Sequence, residues 1–482
     1  LASGQSVTIN GNTATSNGAT SAAWGSTVTS PVLNITGGTT GSGAVSLTSA
    51  GATTTTINSN GVPLTSTGLP GTNTIGTLST GGTSTSTVAI HAASNLTTGA
   101  YTSASKYITV DGAATSVSFG STAIAGGVVT SIDASGMTAG GVTVVLPTAT
   151  TVFKGGAGTD IVTTAGATLG ATAVIDGGAG SSDRLVLANS TDVATATEAA
   201  KYINFEQLQV GAFQADASLV AGITSIRTAG NSSVINLNAT QAAAITATNT
   251  NANPTLALKD ASGTADVMTI TASNSSSAAN VTGLSLTGVE TLNFRNSSAA
   301  ANTLSFATGA SSGTTNTGLK NLVVTGAKGV TVDLNSNSAG TNTTYGNQVA
   351  TLLSVDASGL TAQATGTNTF TLQDTNGGHA LANGLTITGS AGDDVISLGA
   401  GTDTLAAGVV ATINSGAGND SVTVSAAQLY TSGSGYVVVN GGDNGTTGDT
   451  LTINDSTLGT LSDNAFAHVS GIESVVLSTS GT

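Results

Sequence analysis

From Gly389 to Ser397 the chain reads GSAGDDVIS, from Leu398 to Ala406 LGAGTDTLA, and from Ser415 to Thr423 SGAGNDSVT. Each stretch approximates GGxGxDxUx with U a large apolar residue, a pattern of six turn residues followed by three of strand. Its glycines let the backbone visit positive φ and curl its carbonyls inward. The aspartate adds a carboxylate, so an oxygen-only cage forms that suits a hard cation such as Ca²⁺. One turn supplies half a cage and its stacked neighbour the other half. Asp394 and Asp403 lie nine residues apart, one motif period, and Asp420 lies seventeen beyond Asp403. Turns on one side of a β-roll recur every two periods, so Asp403 and Asp420 are expected to flank one ion. The expected ligand set in this cluster is Gly389, Gly392, Asp393, Asp394, Gly399, Gly401, Asp403, Gly416, Gly418 and Asp420.

Related turns lie on either side. KGGAGTDIV offers Gly155, Gly158 and Asp160, and a broken copy, IDGGAGSSDRL, offers Asp176 and Asp183. A last degenerate copy, NGGDNGTTGDTL, offers Asp443 and Asp449. No adjoining nonapeptide completes its cage in sequence, so a second subunit is expected to supply the missing oxygens. Longer repeats frame these turns. TSIDASGMTAGGVTVVL precedes the first set and LLSVDASGLTAQATGTNTFTL the second, placing Asp133 and Asp356 in correspondence. Three times an Asp-led strand is followed by a Glu-led one: Asp183 and Glu206, Asp266 and Glu290, Asp449 and Glu473. A spacing of 23–24 residues between like strands suits one coil of a β-solenoid. Asp133 and Asp356 read either as ligands or as Asx-turns closed on their own backbone. The three glutamates read either as ligands or as groups that cap strand starts.

Composition agrees with strands. Val, Ile, Leu and Thr alternate with small polar residues, as in half-buried strands. Aromatics are 3% of the chain, so the core must be thin, which suits a solenoid or a flat sandwich. The predicted class is all-β: an elongated array of β-solenoid or sandwich-like modules with short parallel β-roll turns. Helix is expected only in DVATATEAAKYINF, with Asp192 as a candidate N-cap, and in QAAAITATN. Four segments are expected: 1–125, rich in Ser, Thr and Gly; 126–215, a first calcium module; 216–345, middle β modules; and 346–482, a second calcium module.

Lys plus Arg number 9 against 24 Asp plus Glu, a net charge of −15, so the basic footprint of a nucleic-acid binder is missing. Absence of cysteine excludes thiolate metal sites and thiol catalysis. No apolar run approaches the roughly 18–20 residues of a membrane-spanning helix. His91, His379 and His468 are scattered with no HExxH, and no GxSxG elbow occurs. Trp24 reads as a core plug or an interface residue rather than a ligand platform. The chain starts at Leu1 with no leader-like stretch, which reads either as a processed or partial chain, the fragment being favoured, or as export directed by a segment not contained in this sequence.

The glycine–aspartate turns resemble those of the repeats-in-toxin family of calcium-binding secreted proteins. The cysteine-free Thr/Ser/Ala/Gly composition, the DASG before the turns and the Glu-led strand after them resemble its bacterial surface-layer branch, of the Caulobacter type. No long uninterrupted nonapeptide array is present, and several copies lack the first glycine. The resemblance implies an extracellular, cell-surface location by type I-like secretion and Ca²⁺ as the cofactor; an extracellular enzyme carrying such modules is a further reading, set aside because no GxSxG, HExxH or aromatic and basic cleft is present. It implies copies of the chain itself as partners, in a lattice or filament, with outer-membrane polysaccharide a candidate anchor. An adhesin with calcium-rigidified modules is the alternative, although adhesins of this kind carry near-identical tandem domains and these modules diverge.

Overall fold

The structure is a computed structural model. It describes residues 1–10, 20–38, 40–62, 71–307, 316, 318–334, 349, 351–364, 367–373, 384–398, 405–455 and 461–478. Of these, 47% are strand and 5% helix. The chain divides into two compact units, 1–209 with 215–224, and 210–214 with 225–482.

Both units are parallel β-solenoids. In the first, one stack runs from Ser6–Asn10 through Val32–Thr36 and Thr54–Ser59 to Ile175–Asp176 and Tyr202–Ile203, every neighbouring pair parallel. A second stack runs from Thr20–Ala23 to Arg184–Val186 and Gln207–Val210. The second unit repeats the plan, one stack running from Ser225–Thr228 to Val469–Ser470 and the other from Ser233–Leu237 to Ser474–Ser478. The alternation in the sequence sets which side chains point inward. Because parallel strands stack in register, equivalent side chains of successive coils form files about 4.8 Å apart. One file is Ile108, Ile132, Phe153, Ile175 and Tyr202, all essentially buried. In the second unit Met268, Leu292, Leu322, Val355, Ile387, Ile413 and Val439 form one file. Facing it in chain order is the file Leu304, Val332, Leu372, Ile396, Val422, Leu451 and Val475. Each fully buried Leu, Ile or Val contributes about 1.5–3 kcal/mol, so long files of modest side chains replace a thick aromatic core.

Coil length varies widely. The step from Val144 to Val162 takes 18 residues, two nonapeptides, whereas Val330 to Phe370 takes 40. The expected segment boundaries at 125/126 and 345/346 fall within continuous stacks: Tyr107–Gly112 pairs with Ser131–Met137, and Asn321–Gly326 with Ser354–Leu360. Only the boundary at 215/216 lies near the division between units. Among the described residues, helix is confined to Ala196–Ala199 and Ala239–Ala242 plus short 3₁₀ turns. Thr195 caps the first of these, and Asp192 instead closes a capping box begun by Asn189. Trp24 is buried and donates its indole N–H to the Gln5 carbonyl at 3.2 Å.

Candidate functional site: two ladders of buried acids

Asp160, Asp183, Asp420 and Asp449 stand immediately before a strand and Asp394 opens one, and the parallel stacking places each beside the acid of the next coil. In the first unit Asp160 Oδ1 accepts from the Val142 backbone N–H at 2.7 Å, and Oδ2 accepts from Gly156 at 2.8 Å. The Asp160 N–H donates to Asp183 Oδ1 at 2.7 Å, and the Asp183 N–H to Glu206 Oε2 at 2.9 Å. A carboxylate of one coil thus receives a backbone N–H of the coil before it. The second unit has one more rung. Phe370 N–H donates to Asp394 Oδ1, Asp394 N–H to Asp420 Oδ1, Asp420 N–H to Asp449 Oδ1, and Asp449 N–H to Glu473 Oε2, all within 2.7–2.9 Å. A single rung joins Asp266 N–H to Glu290 Oε2 at 2.9 Å.

Every run ends on glutamate, for a geometric reason. The N–H groups of Glu206, Glu290 and Glu473 turn back to the carbonyls of Asp183, Asp266 and Asp449. They need no acid from the following coil, so the ladder closes there. After Glu290 the next coil begins with Lys320 and Asn321, whose N–H groups bond the Glu290 carbonyl.

The first glycine of each turn has a steric role beyond its backbone freedom. A Cβ on Gly155 would meet Asp160 Oδ2 at 2.7 Å and overlap the Gly177 carbonyl of the next coil. Gly389 is held in the same way between Asp394 Oδ2 and the Ser415 carbonyl, and Gly441 between Asp449 Oδ2 and the Gly471 carbonyl. Only glycine fits between an acid and the adjoining coil.

Burial costs these acids. Loss of solvent pushes Asp160 and Asp394 up to about 6, against backbone N–H bonds that pull them down. Asp183 and Asp420 rise to about 7 from the same loss, with the neighbouring carboxylates of each ladder raising them further. Asp449 is raised by burial, while exposed Glu473 is lowered by its bond from the Asp449 N–H. Asp183 and Asp449 are fully buried, yet Oδ2 of each has no hydrogen-bond partner. A Cβ on Gly180 would meet Asp183 Oδ2 and the Gly158 carbonyl, each at 2.6 Å, so a carboxylate and a carbonyl oxygen face one point.

These observations bear on the cage expected from the sequence. No group of three or more acidic or imidazole side chains converges among the described residues. The carboxylate oxygens of the ladders left without a donor are Asp183 Oδ2, Asp266 Oδ2, Asp420 Oδ2 and Asp449 Oδ2, whereas both oxygens of Asp160 and of Asp394 are bonded. Asp420 is the ladder neighbour of Asp394, 26 residues away, where the nonapeptide spacing suggested Asp403. Gly399, Gly401 and Asp403 lie outside the described residues, as does His379. Asp393 sits one position off the ladder and accepts from the Asn419 N–H at 2.9 Å, and Asn419 Oδ1 in turn accepts from Thr447 and Gly448. Asp176 accepts from Gly178 N–H and the Asn204 amide and takes no rung. Gly392 N–H donates to the Ser390 hydroxyl, and Gly158 N–H to the Gly140 carbonyl.

The degenerate turn at 441–449 is not half-filled by neighbours. Asp443–Asn444 pairs with Ala417–Gly418, and Gly442 would strike the Gly416 carbonyl with any Cβ. On its other side Gly441 N–H donates to the Ser470 carbonyl. Coils of the same chain thus flank the turn at Gly441, Gly442 and Asp449, whereas residues 443–447 stay exposed.

Asp133 and Asp356 form Asx-turns: Oδ1 of each accepts from the N–H and hydroxyl of Ser135 or Ser358. The same closure occurs at Asp216 with Ser218 and at Asp260 with Ser262, so the DAS turn has two further copies that the sequence reading passed over. Sequence reasoning also missed Asn419, whose Oδ1 accepts from Thr447 and Gly448. His91 Nδ1 lies 2.7 Å from Asp111 Oδ1 across adjacent coils, a pair that sequence distance hid.

No protein-family model matches the chain, and no curated protein sequence matches it.

Proposed function

We propose that this chain is a calcium-loaded structural protein of a bacterial cell surface, that it assembles into an extracellular lattice, and that it carries no catalytic role. The observation that carries this reading is the charge kept inside the ladders. Asn302 fills the corresponding place in the same stack as Asp420 and Asp449, accepting the Ala279 N–H of the coil before it at 2.7 Å. A neutral amide therefore suffices to hold coil to coil. Buried carboxylates are costlier than an amide unless a cation compensates them. Asp183, Asp420 and Asp449 with neighbouring turn carbonyls would hold the ion, and Ca²⁺ would supply the charge that cancels the repulsion along each ladder. The remaining surface, poor in charge and rich in Thr, Ser and Asn, suits a protein whose partners are further copies of itself.

Thermal unfolding with chelator, Ca²⁺ or Mg²⁺ tests the ion. Calcium should raise Tm and magnesium should substitute poorly, because it demands octahedral geometry and keeps its waters. An unchanged Tm on chelation reduces the ladders to turns. Negative-stain images with and without calcium test the lattice, and monomers at every calcium level favour the adhesin alternative.

A further inference from the structure

One strand of the second unit reaches beyond its neighbour. Val267–Ala272 pairs along its whole length with Thr291–Asn296 of the coil that follows. Towards the coil before it, pairing with Ile245–Ala247 starts only at Ile270. The chain that leads into Ile245–Ala247 is the helix Ala239–Ala242, which packs against the longer strand. A helix uses its N–H groups on itself: those of Ala242, Ala243 and Ala244 donate to the carbonyls of Asn238, Ala239 and Gln241. Asp160 and Asp394 each receive a backbone N–H from the coil before, from Val142 and from Phe370. Asp266 receives none from its helical neighbour, and its buried Oδ2 has no partner.

This irregularity opens a cavity of about 470 Å³ beside Asp266, lined by residues of the second unit alone. Its size falls in the range of small-molecule sites, which are mostly apolar with a few placed polar groups. Leu237, Ala239, Leu258 and Val267 supply the apolar wall. Val267 is 46% exposed there, although the next residue of its strand, Met268, is fully buried. Two charges without partners complete the lining. Asp266 is one. Lys259 is the other: its backbone N–H holds the Leu237 carbonyl at 2.9 Å, and its side chain is in neither ion pair of the described residues, His91–Asp111 or Lys201–Glu198. Asp260 also lines the cavity, but its Oδ1 is closed on the N–H and hydroxyl of Ser262. A calcium ion suits this place poorly, because it takes about six to eight oxygens and a lysine repels it. An anion meets the same objection from Asp266. A ligand carrying both charges meets neither.

We infer that this cavity binds a small zwitterion with an apolar side chain, an α-amino acid of leucine's kind, its ammonium on Asp266 and its carboxylate on Lys259. The side chain lies against Leu237, Leu258 and Val267. Binding leaves the ladder intact, since the rung at this coil runs from the Asp266 backbone N–H to Glu290 Oε2 and uses no carboxylate oxygen of Asp266. The site stands apart from the lattice reading and needs neither calcium nor a second copy.

Isothermal titration calorimetry of the whole chain with L-leucine tests it. L-Leucinamide lacks the carboxylate and 4-methylpentanoate lacks the ammonium, so each should bind at least about tenfold more weakly than leucine. Glycine, with no side chain to bury, should not bind measurably. Asp266→Asn and Lys259→Met should each weaken leucine by a similar factor, whereas Lys259→Arg keeps the charge and most of the affinity. Circular dichroism checks that each variant folds, and the ligand series on the unaltered chain decides the matter even where one does not. Leucine that fails to bind the unaltered chain would overturn the inference, as would leucinamide bound as tightly as leucine. Full affinity in Asp266→Asn would do the same. Leucine affinity that falls as calcium is added would place an ion on Asp266 instead, overturning the site while leaving the lattice reading in place.

Discussion

Asn302 and Asp449 occupy equivalent places in one stack and solve one problem at different cost. Both are buried, both head a strand, and both accept a backbone N–H from the preceding coil. The Asn302 amide also donates to Asn296 Oδ1 at 2.7 Å and to the Ser298 hydroxyl at 3.1 Å, so both ends of the side chain are used. Asp449 has no donor to offer, and its Oδ2 stays unpaired. The neutral coil is complete in itself. The acidic coil is complete only with a proton or a cation, and this makes one region of a uniform fold responsive to its surroundings.

The largest expected effect separates the two regions by metal. At free calcium near 1,000 times Kd, a ligand that binds only the folded state adds about 4 kcal/mol per site. Chelation should therefore lower Tm, and hydrogen exchange should quicken at Asp394, Asp420 and Asp449 while the Asn302 coil keeps its protection. Equal loss in both regions would mean that the ladder does not set the difference.

Gly389→Ala and Gly441→Ala come next. Each inserts a methyl group between a carboxylate and the neighbouring coil's carbonyl, an overpacking that costs about 1–3 kcal/mol. Gly408→Ala, by contrast, meets open space at positive φ, and its strain should cost only about 1 kcal/mol. Chemical denaturation curves of the three variants give the ranking, and equal losses would remove the steric account of the first glycine.

Exchange of the paired residues gives an intermediate effect. Asp449→Asn in calcium-free buffer should stabilise the fold by about 1 kcal/mol, within the range that an unsatisfied buried group costs, and should shrink the calcium-induced rise in Tm. Asn302→Asp should destabilise by a similar amount. If Asp449→Asn destabilises the metal-free protein, the carboxylate is satisfied in a way the ladder geometry omits.

The buried acids also give the metal-free protein a pH dependence of unusual sign. Asp183 and Asp420 rise from 3.8 to about 7, and Asp160 and Asp394 to about 6. The folded state holds these protons more tightly than the unfolded state, so stability is full below about pH 4 and is lost as pH rises through 6 to 7. Metal-free protein should therefore melt higher at pH 5 than at pH 8, and saturating calcium should flatten that slope. A melting temperature that rises with pH in chelator would contradict the burial of these groups.

Much of the fold was legible because a solenoid writes its geometry locally. The alternation in SVDASGL and TLTIN gave strands, and the 23–24-residue spacing of Asp183 to Glu206 and Asp449 to Glu473 gave true ladder neighbours. The nonapeptide spacing misled, because coil length is not constant: Ile396 reaches Val422 in 26 residues. Spacing within one turn carries no information about which turn stacks on it. Nor does a sequence reveal that an aspartate's second oxygen lacks a donor, since that depends on backbone N–H groups from another coil.

The varying coil lengths carry a consequence for change in the chain. Val144 hands over to Val162 after 18 residues and Val330 to Phe370 after 40, yet both pairs sit in register. Position in the stack is set by strand pairing, so the number of residues between paired strands varies without disturbing the files. Loop closure penalises this weakly, about 0.6 kcal/mol for each doubling of length. Peptides spliced between strands of the longest coils should be carried as cargo at fixed intervals, which makes the fold a natural display frame whose pitch is independent of what it displays.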